Sequence, residues 1–357
     1  MTTIDPKAPV LVTGASGYIA SWIVRDLLEA GYTVHGTVRD PQRKRGMEHL
    51  HALAEQHPGR LQLFKADLLT PGSYDAAMQG CELVMHTASP FVISGFSDAE
   101  TALVRPAVEG TRNVLESVER TPSVKRVVLT SSVVSIYGDN IDSLALSSDP
   151  EKQIFTEAQW NTTSSVDHQP YPYSKVMAER EAWKMHDRQS RWDLVTINPG
   201  LVLGPSLTRA SDSASFGVMK QLVDGTMFLG APKLAMGVVD VRDVAEAHVR
   251  AGFTPAASGR HIVNGANTTF LEMGRLLRRK FGNRYLFPFM EAPKAMIWLI
   301  APIAGLTRKF VSLNVGYPLR FDNSKSRTAL GLTYHPLEQT LADHFQQMLD
   351  DGTVRRR

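Results

Sequence analysis

The sequence predicts an α/β fold, a doubly wound parallel sheet with helices on both faces and a smaller C-terminal lobe. Three observations lead there. Short β-branched runs alternate with amphipathic segments through the first half of the chain, the pattern of a parallel sheet covered on both sides. A glycine-rich turn joins the first of these runs to the first amphipathic segment. After Ile197 the alternation gives way to Pro/Gly-rich connections, from Asn198-Pro199-Gly200 through Gly204-Pro205 to Pro232, a change of texture that marks the second lobe.

Length and composition allow this and exclude much else. The 357 residues have room for about two domains. With 43% hydrophobic and 21% charged residues the chain can bury a large core, so disorder and fibrous repeats are poor readings. Lys+Arg 39 against Asp+Glu 36 leaves only +3, no footprint for nucleic acid. One cysteine, Cys81, can form neither an intrachain disulfide nor a thiolate metal site, which fits a reducing, cytoplasmic location. Residues 1–12 lack a signal-peptide pattern, and no 18-residue uncharged apolar run occurs, so a membrane partner is not expected. The most apolar stretch, 295–306, contains Pro302 and reads as a buried helix or pocket wall.

In chain order, strands are expected at 10–13, 33–38, 61–65, 83–87, 127–130 and 194–197. Ile19, Trp22, Ile23 and Leu27 recur at helical spacing, so 18–30 should be a helix ended by Gly31. Similar helices fit 99–120 and 171–188. The first pattern returns at 238–250, an apolar strand running into a helix, and at 261–263. Leu337, Leu341, Phe345 and Met348 place a last helix on the smaller lobe. The expected division is 1–199 plus 238–265 for a dinucleotide domain, with 200–237 and 266–357 for a substrate-binding lobe.

Val10-Leu11-Val12 runs into Thr13-Gly14-Ala15-Ser16-Gly17-Tyr18-Ile19-Ala20. Glycines at a strand-to-helix turn let the backbone approach a pyrophosphate, whose charge meets the free N–H groups of the helix start. The spacing Gly-x-x-Gly-x-x-Ala predicts a Rossmann-type nucleotide site at Gly14, Ser16, Gly17, Tyr18 and Ile19. At the end of the second strand Arg39 stands first, and a guanidinium suits the 2′-phosphate of NADP. Lys44, between Arg43 and Arg45, adds to the positive field. Asp40 is a competing ribose ligand. Asp67-Leu68 closes the third strand, where Asp67 could accept from an adenine amino group or simply cap the following turn.

The fifth strand delivers Ser131-Ser132 at its carboxyl end, the side on which open α/β sheets bind ligands. About forty residues later comes Tyr171-Pro172-Tyr173-Ser174-Lys175. Tyr171 and Lys175 are four apart and share one helix face. A neighbouring ammonium should lower the pKa of the phenol and fit it for proton transfer, while a serine hydroxyl donates to a carbonyl oxygen. That chemistry is hydride transfer to a carbonyl with Tyr171 as proton donor.

In this order the motifs resemble the extended short-chain dehydrogenase/reductases, and within them the dihydroflavonol reductase, cinnamoyl-CoA reductase and aldehyde/ketone reductase group. The matching stretches, including Val38-Arg39-Asp40-Pro41, His86-Thr87-Ala88-Ser89-Pro90, Asn198-Pro199-Gly200, Asp240-Val241-Arg242-Asp243-Val244-Ala245 and Asp322-Asn323-Ser324-Lys325-Ser326, span nearly the whole chain. The resemblance selects Ser132 over Ser131 as the catalytic serine. It implies that Thr87, Ala88 and Ser89 line the ribose and nicotinamide side, with Pro199, Gly200 and Leu201 beside the nicotinamide. The structural Asn that many members carry near Ala107 has no equivalent here, Asn113 being out of register. The position five after the catalytic serine, where flavonoid reductases have a polar residue, is Tyr137, which speaks against a flavonoid.

The expected activity is therefore NADPH-dependent reduction of a small hydrophobic or aromatic aldehyde or ketone by a monomer or homodimer. The pocket should be walled by Phe91, Ser132, Tyr137, Tyr171, 206–219 and part of 290–306. Two other readings are an epimerase, dehydratase or 3β-hydroxysteroid dehydrogenase, and an NADPH-binding regulator without chemistry. No metal site is expected, because His49, His51 and His57 do not share a helix face.

Overall fold

The computed structural model describes residues 1–89, 98–208 and 214–355. Strands β1 (Val10–Thr13), β2 (Val34–Val38), β3 (Leu61–Lys65), β4 (Leu83–His86), β5 (Arg126–Thr130) and β6 (Asp193–Pro199) alternate with helices α1 (Tyr18–Glu29), α2 (Glu48–Gln56), α3 (Asp75–Met78), α4 (Arg105–Arg120) and α5 (Pro170–His186). There follow β7 (Leu201–Leu203), α6 (Ala214–Val223), β8 (Ala235–Asp240), α7 (Val241–Phe253), β9 (Gly259–Val263), β10 (Ala266–Thr269) and α8 (Phe270–Phe281). The C-terminal helices are α9 (Lys294–Ile300), α10 (Arg308–Asn314), α11 (Ser324–Ala329) and α12 (Leu337–Asp350).

Seven strands form one parallel sheet in the order β3-β2-β1-β4-β5-β6-β9. All six expected strands lie in it, at or within two residues of the expected ends. Strand order reverses between β1 and β4, which opens a crevice at their carboxyl ends. β1 and β4 are buried throughout, as continuous apolar strands covered on both faces must be.

A second sheet, β10-β8-β7, has a parallel and an antiparallel pair. The expected strand at 238 lies here, whereas the helix that follows it and β9 return to the large sheet. α12 packs Leu341, Phe345 and Met348 against Phe287, Met273 and Leu203, forming a core of its own.

The stretch 295–306 is neither a buried helix nor a covered wall. α9 has two turns before Pro302, and one face is covered, by Ile297 and Ala301 packing against Val311 and Val315. The rest faces outward, with Leu299 63% and Ile303 92% exposed.

Candidate active site

The crevice is built by stitching the ends of β1 and β4 together. Thr13 Oγ1 accepts from the Thr87 and Ala88 N–H groups, both at 3.0 Å, and Thr87 Oγ1 donates back to the Thr13 carbonyl. Gly14 follows with φ +65°, and a Cβ there would lie 3.2 Å from that of Ala88. The Gly17 N–H donates to the Gly14 carbonyl at 2.8 Å, closing the turn. α1 then starts with no side-chain cap and no acidic residue in its first turn. The first N–H groups of a helix have no intrahelical acceptor, so Tyr18, Ile19 and Ala20 present an uncapped positive end beside a cradle that a Cβ would fill. A dinucleotide pyrophosphate fits both features. The Tyr18 side chain is committed elsewhere, donating to the Gly204 carbonyl at 2.6 Å.

Arg39 and Lys44 are exposed beyond the end of β2. Asp40 accepts the Gln42 N–H at 3.0 Å in a local turn. Asp67 Oδ1 likewise accepts the Leu69 N–H at 2.9 Å in a local turn. Asn113 donates to the Leu68 carbonyl at 3.0 Å.

The two serines of β5 have different surroundings. Ser131 is buried, its hydroxyl donating to the Glu179 carboxylate. Ser132 is half-buried, with its Oγ accepting from the Val134 N–H at 3.3 Å and donating to the Pro199 carbonyl at 3.5 Å. Tyr171 and Lys175 lie one turn apart on α5, both half-buried. Lys175 Nζ donates to Ser89 Oγ at 3.3 Å. A small cavity of about 10 Å³ beside Lys175 is lined by Ser89, Thr111, Thr130, Ser131 and Glu179.

The electrostatics correct one expectation. Burial pushes the Tyr171 phenol up to about 12, so in this state burial dominates and the phenol is not lowered. Burial also pulls Lys175 down to about 8, opposed by the Glu179 carboxylate. At neutral pH this leaves a protonated phenol beside an ammonium that is mostly charged. His86, under the crevice, is driven to about 3 by burial and then by Lys175, so it is neutral.

Pro199 and Leu201 flank Gly200, where a Cβ would come within 2.7 Å of the Gly237 carbonyl oxygen. Tyr137 is half-buried between Phe155 and Phe321, with ring centroids 5.6 and 5.4 Å away. Phe91 lies outside the described residues, as does 209–213 of the expected wall. Among the described residues, no three His, Cys, Asp or Glu side chains cluster to hold a metal, and no helix is long and apolar enough to cross a membrane.

Sequence reasoning missed the support behind the site. Glu179 accepts from Ser131, Asn198 (2.9 Å) and Arg260 (2.7 Å), and Asn198 also donates to the Ser132 carbonyl at 3.1 Å. The available signal was spacing, since Glu179 is four residues beyond Lys175 and eight beyond Tyr171.

Residues 10–265 match the NAD dependent epimerase/dehydratase family. A cinnamoyl-CoA reductase of Medicago truncatula is 38% identical over 340 residues, covering 95% of each chain. An anthocyanidin reductase of Vitis vinifera is 35% identical over 290 residues, 79% of this chain and 84% of its own. Yeast methylglyoxal/isovaleraldehyde reductase Gre2, solved with NADPH, superposes with a TM-score of 0.75 at 28% identity, covering 97% of this chain and 100% of its own. The chain thus belongs to the NAD dependent epimerase/dehydratase family, as a nicotinamide-dependent oxidoreductase of the extended short-chain dehydrogenase/reductase type.

Proposed function

We propose that this chain is an NADPH-dependent reductase that converts a small hydrophobic or aromatic aldehyde or ketone into the alcohol. The observation that carries the reading is the placement of Tyr171 and Lys175 on one face of α5, with Ser132 leaving β5 at the carboxyl edge of the sheet. When bound, the nicotinamide dinucleotide supplies the hydride. Gly14, Ser16 and Gly17 with the start of α1 receive its phosphates, and Thr87, Ala88, Ser89, Pro199, Gly200 and Leu201 frame its nicotinamide end. Asp67 and Leu68 stand on the adenine side, and Arg39 with Lys44 takes the 2′-phosphate.

Ser132 donates a hydrogen bond to the carbonyl oxygen, and Tyr171 gives that oxygen its proton as negative charge develops there. Lys175 lowers the cost of the phenolate that remains on Tyr171. Tyr137 walls the substrate, and an apolar wall of this kind discriminates weakly between homologous carbonyls. Gre2's reduction of methylglyoxal and isovaleraldehyde supports this substrate class.

The test is NADPH and NADH oxidation against aromatic aldehydes, α-ketoesters and diketones. Wild type should turn over with NADPH. Tyr171→Phe should lose a factor of about 10² to 10⁴ in kcat while binding NADPH as before; near-normal turnover would sink the assignment. Arg39→Ala should cut the NADPH-over-NADH preference about tenfold or more. An unchanged ratio would exclude Arg39 as the 2′-phosphate ligand.

A further inference from the structure

We propose that Asp139 is a positioning residue for the reduction, clamping the segment that carries Ser132 to the start of the helix that carries Tyr171. The inference rests on Tyr171 being the proton donor. Asp139 is 2% exposed, yet its carboxylate receives three side-chain donors. Oδ2 pairs with His168 Nε2 at 2.7 Å, while Oδ1 accepts from Gln169 Nε2 and Asn314 Nδ2, each at 2.6 Å. Gln169 Nε2 also donates to the Gly138 carbonyl at 2.6 Å.

Position in the chain gives these bonds their meaning. Asp139 is seven residues beyond Ser132, while His168 and Gln169 are three and two residues before Tyr171. Gln169 is the residue from which α5 departs, and its φ of 58° makes it the one non-glycine residue with positive φ among the described residues. A non-glycine residue stays in that region only where its surroundings impose it, and here Gly138 and Asp139 do so. The backbone twist at Gln169 sets the direction of the first turn of α5, and hence of Tyr171. The clamp therefore fixes the separation between hydrogen-bond donor and proton donor, two groups that must meet one oxygen atom.

Asn314 extends the clamp to the C-terminal lobe. Its side chain accepts the Asn140 N–H at 2.9 Å while donating to Asp139, so α10 braces the loop from a third direction.

The experiment compares Asp139→Ala, Asp139→Asn, Gln169→Gly and Tyr171→Phe with wild type, all normalised to NADPH sites counted by fluorescence titration. A displacement of about 1 Å in a reacting group costs up to about 100-fold. Asp139→Ala should therefore lose about 10- to 100-fold in kcat, keep its NADPH Kd within about twofold, and show a larger primary isotope effect with 4-deuterated NADPH. Asp139→Asn retains an acceptor for Gln169 and Asn314 and should recover most of the rate. Asp139→Ala combined with Tyr171→Phe should cost clearly less than the sum of the two, because what the clamp does to Tyr171 is already lost in Tyr171→Phe. Wild-type kcat per site with an unchanged isotope effect in Asp139→Ala overturns the clamp, as does full additivity in the double variant. If Asp139→Ala does not fold, Gln169→Gly decides. Glycine adopts the same φ without strain, so only the Gln169 bonds are lost, and an unchanged kcat there overturns the proposal. Undiminished turnover in Tyr171→Phe overturns the reading of Tyr171 and the clamp with it. That result is distinct from an unchanged Asp139→Ala, which removes the clamp alone.

Discussion

Lys175 gives up its proton more readily than an ordinary lysine because burial penalises its charge, bringing it to about 8. Tyr171, raised to about 12, stays protonated across the working range. The alkaline limb of the pH profile therefore belongs to the lysine. Below about 8 the ammonium is present and can accommodate the phenolate; above it the ammonium is lost. We expect kcat/KM for a carbonyl substrate to be level on the neutral side and to fall about tenfold per pH unit above an apparent pKa at or just over 8. Lys175→Arg, slower overall, should stay flat through pH 9, since a guanidinium does not titrate there. An identical limb in that variant would assign the titration to another group. The candidates Ser131-Ser132, Tyr171 and Lys175 were legible in the sequence because a strand end and two positions one helical turn apart are local features, while the choice of Ser132 over Ser131 came from the family resemblance. The direction of the Tyr171 shift was not, because burial depends on everything packed around the phenol.

Helix α4 shows how an element far from the reacting atoms shapes the cofactor side. Gly110 faces Leu68, and a Cβ on it would come within 2.6 Å of Leu68 Cδ2. Replacing glycine by alanine inside a helix gains up to about 1 kcal/mol from propensity, while overpacking a buried contact costs about 1–3 kcal/mol. The clash should win. Gly110→Ala is expected to lower the thermal midpoint and to weaken NADPH binding severalfold, because Leu68 must move from beside the expected adenine site. A raised midpoint with unchanged NADPH affinity would show that Leu68 repacks freely. The helices themselves were legible where one apolar stripe recurs, as in α1 and α12. The exposure of α9 was not legible, because its composition is that of a buried helix while only Ile297 and Ala301 find buried partners, in Val311 and Val315.

Across the whole molecule the large sheet could be anticipated because its strands are short β-branched or apolar segments that alternate with amphipathic ones, most plainly in β1, β4 and β5. The small sheet could not. β7 has three residues and β10 reads Ala-Asn-Thr-Thr, and both become strands only by pairing with β8, which lies between them in the chain. The same holds for Asp139, whose partner Asn314 is 175 residues away; no local spacing could announce that bond. One tertiary link joins the two proposed sites. Helix α1, whose uncapped end awaits the pyrophosphate, is tied by Tyr18 to the Gly204 carbonyl and by Trp22 Nε1 to the Pro205 carbonyl at 2.9 Å. The next residue, Ser206, opens the proposed substrate wall and is gripped from the other side by Gln347 of α12, at 2.7 and 2.6 Å. The piece of structure proposed to seat the dinucleotide is thus continuous with the piece proposed to receive the carbonyl compound. On those proposed roles the two sites are coupled, and whatever the seated dinucleotide does to the affinity for the carbonyl compound, the carbonyl compound does equally to the affinity for the dinucleotide.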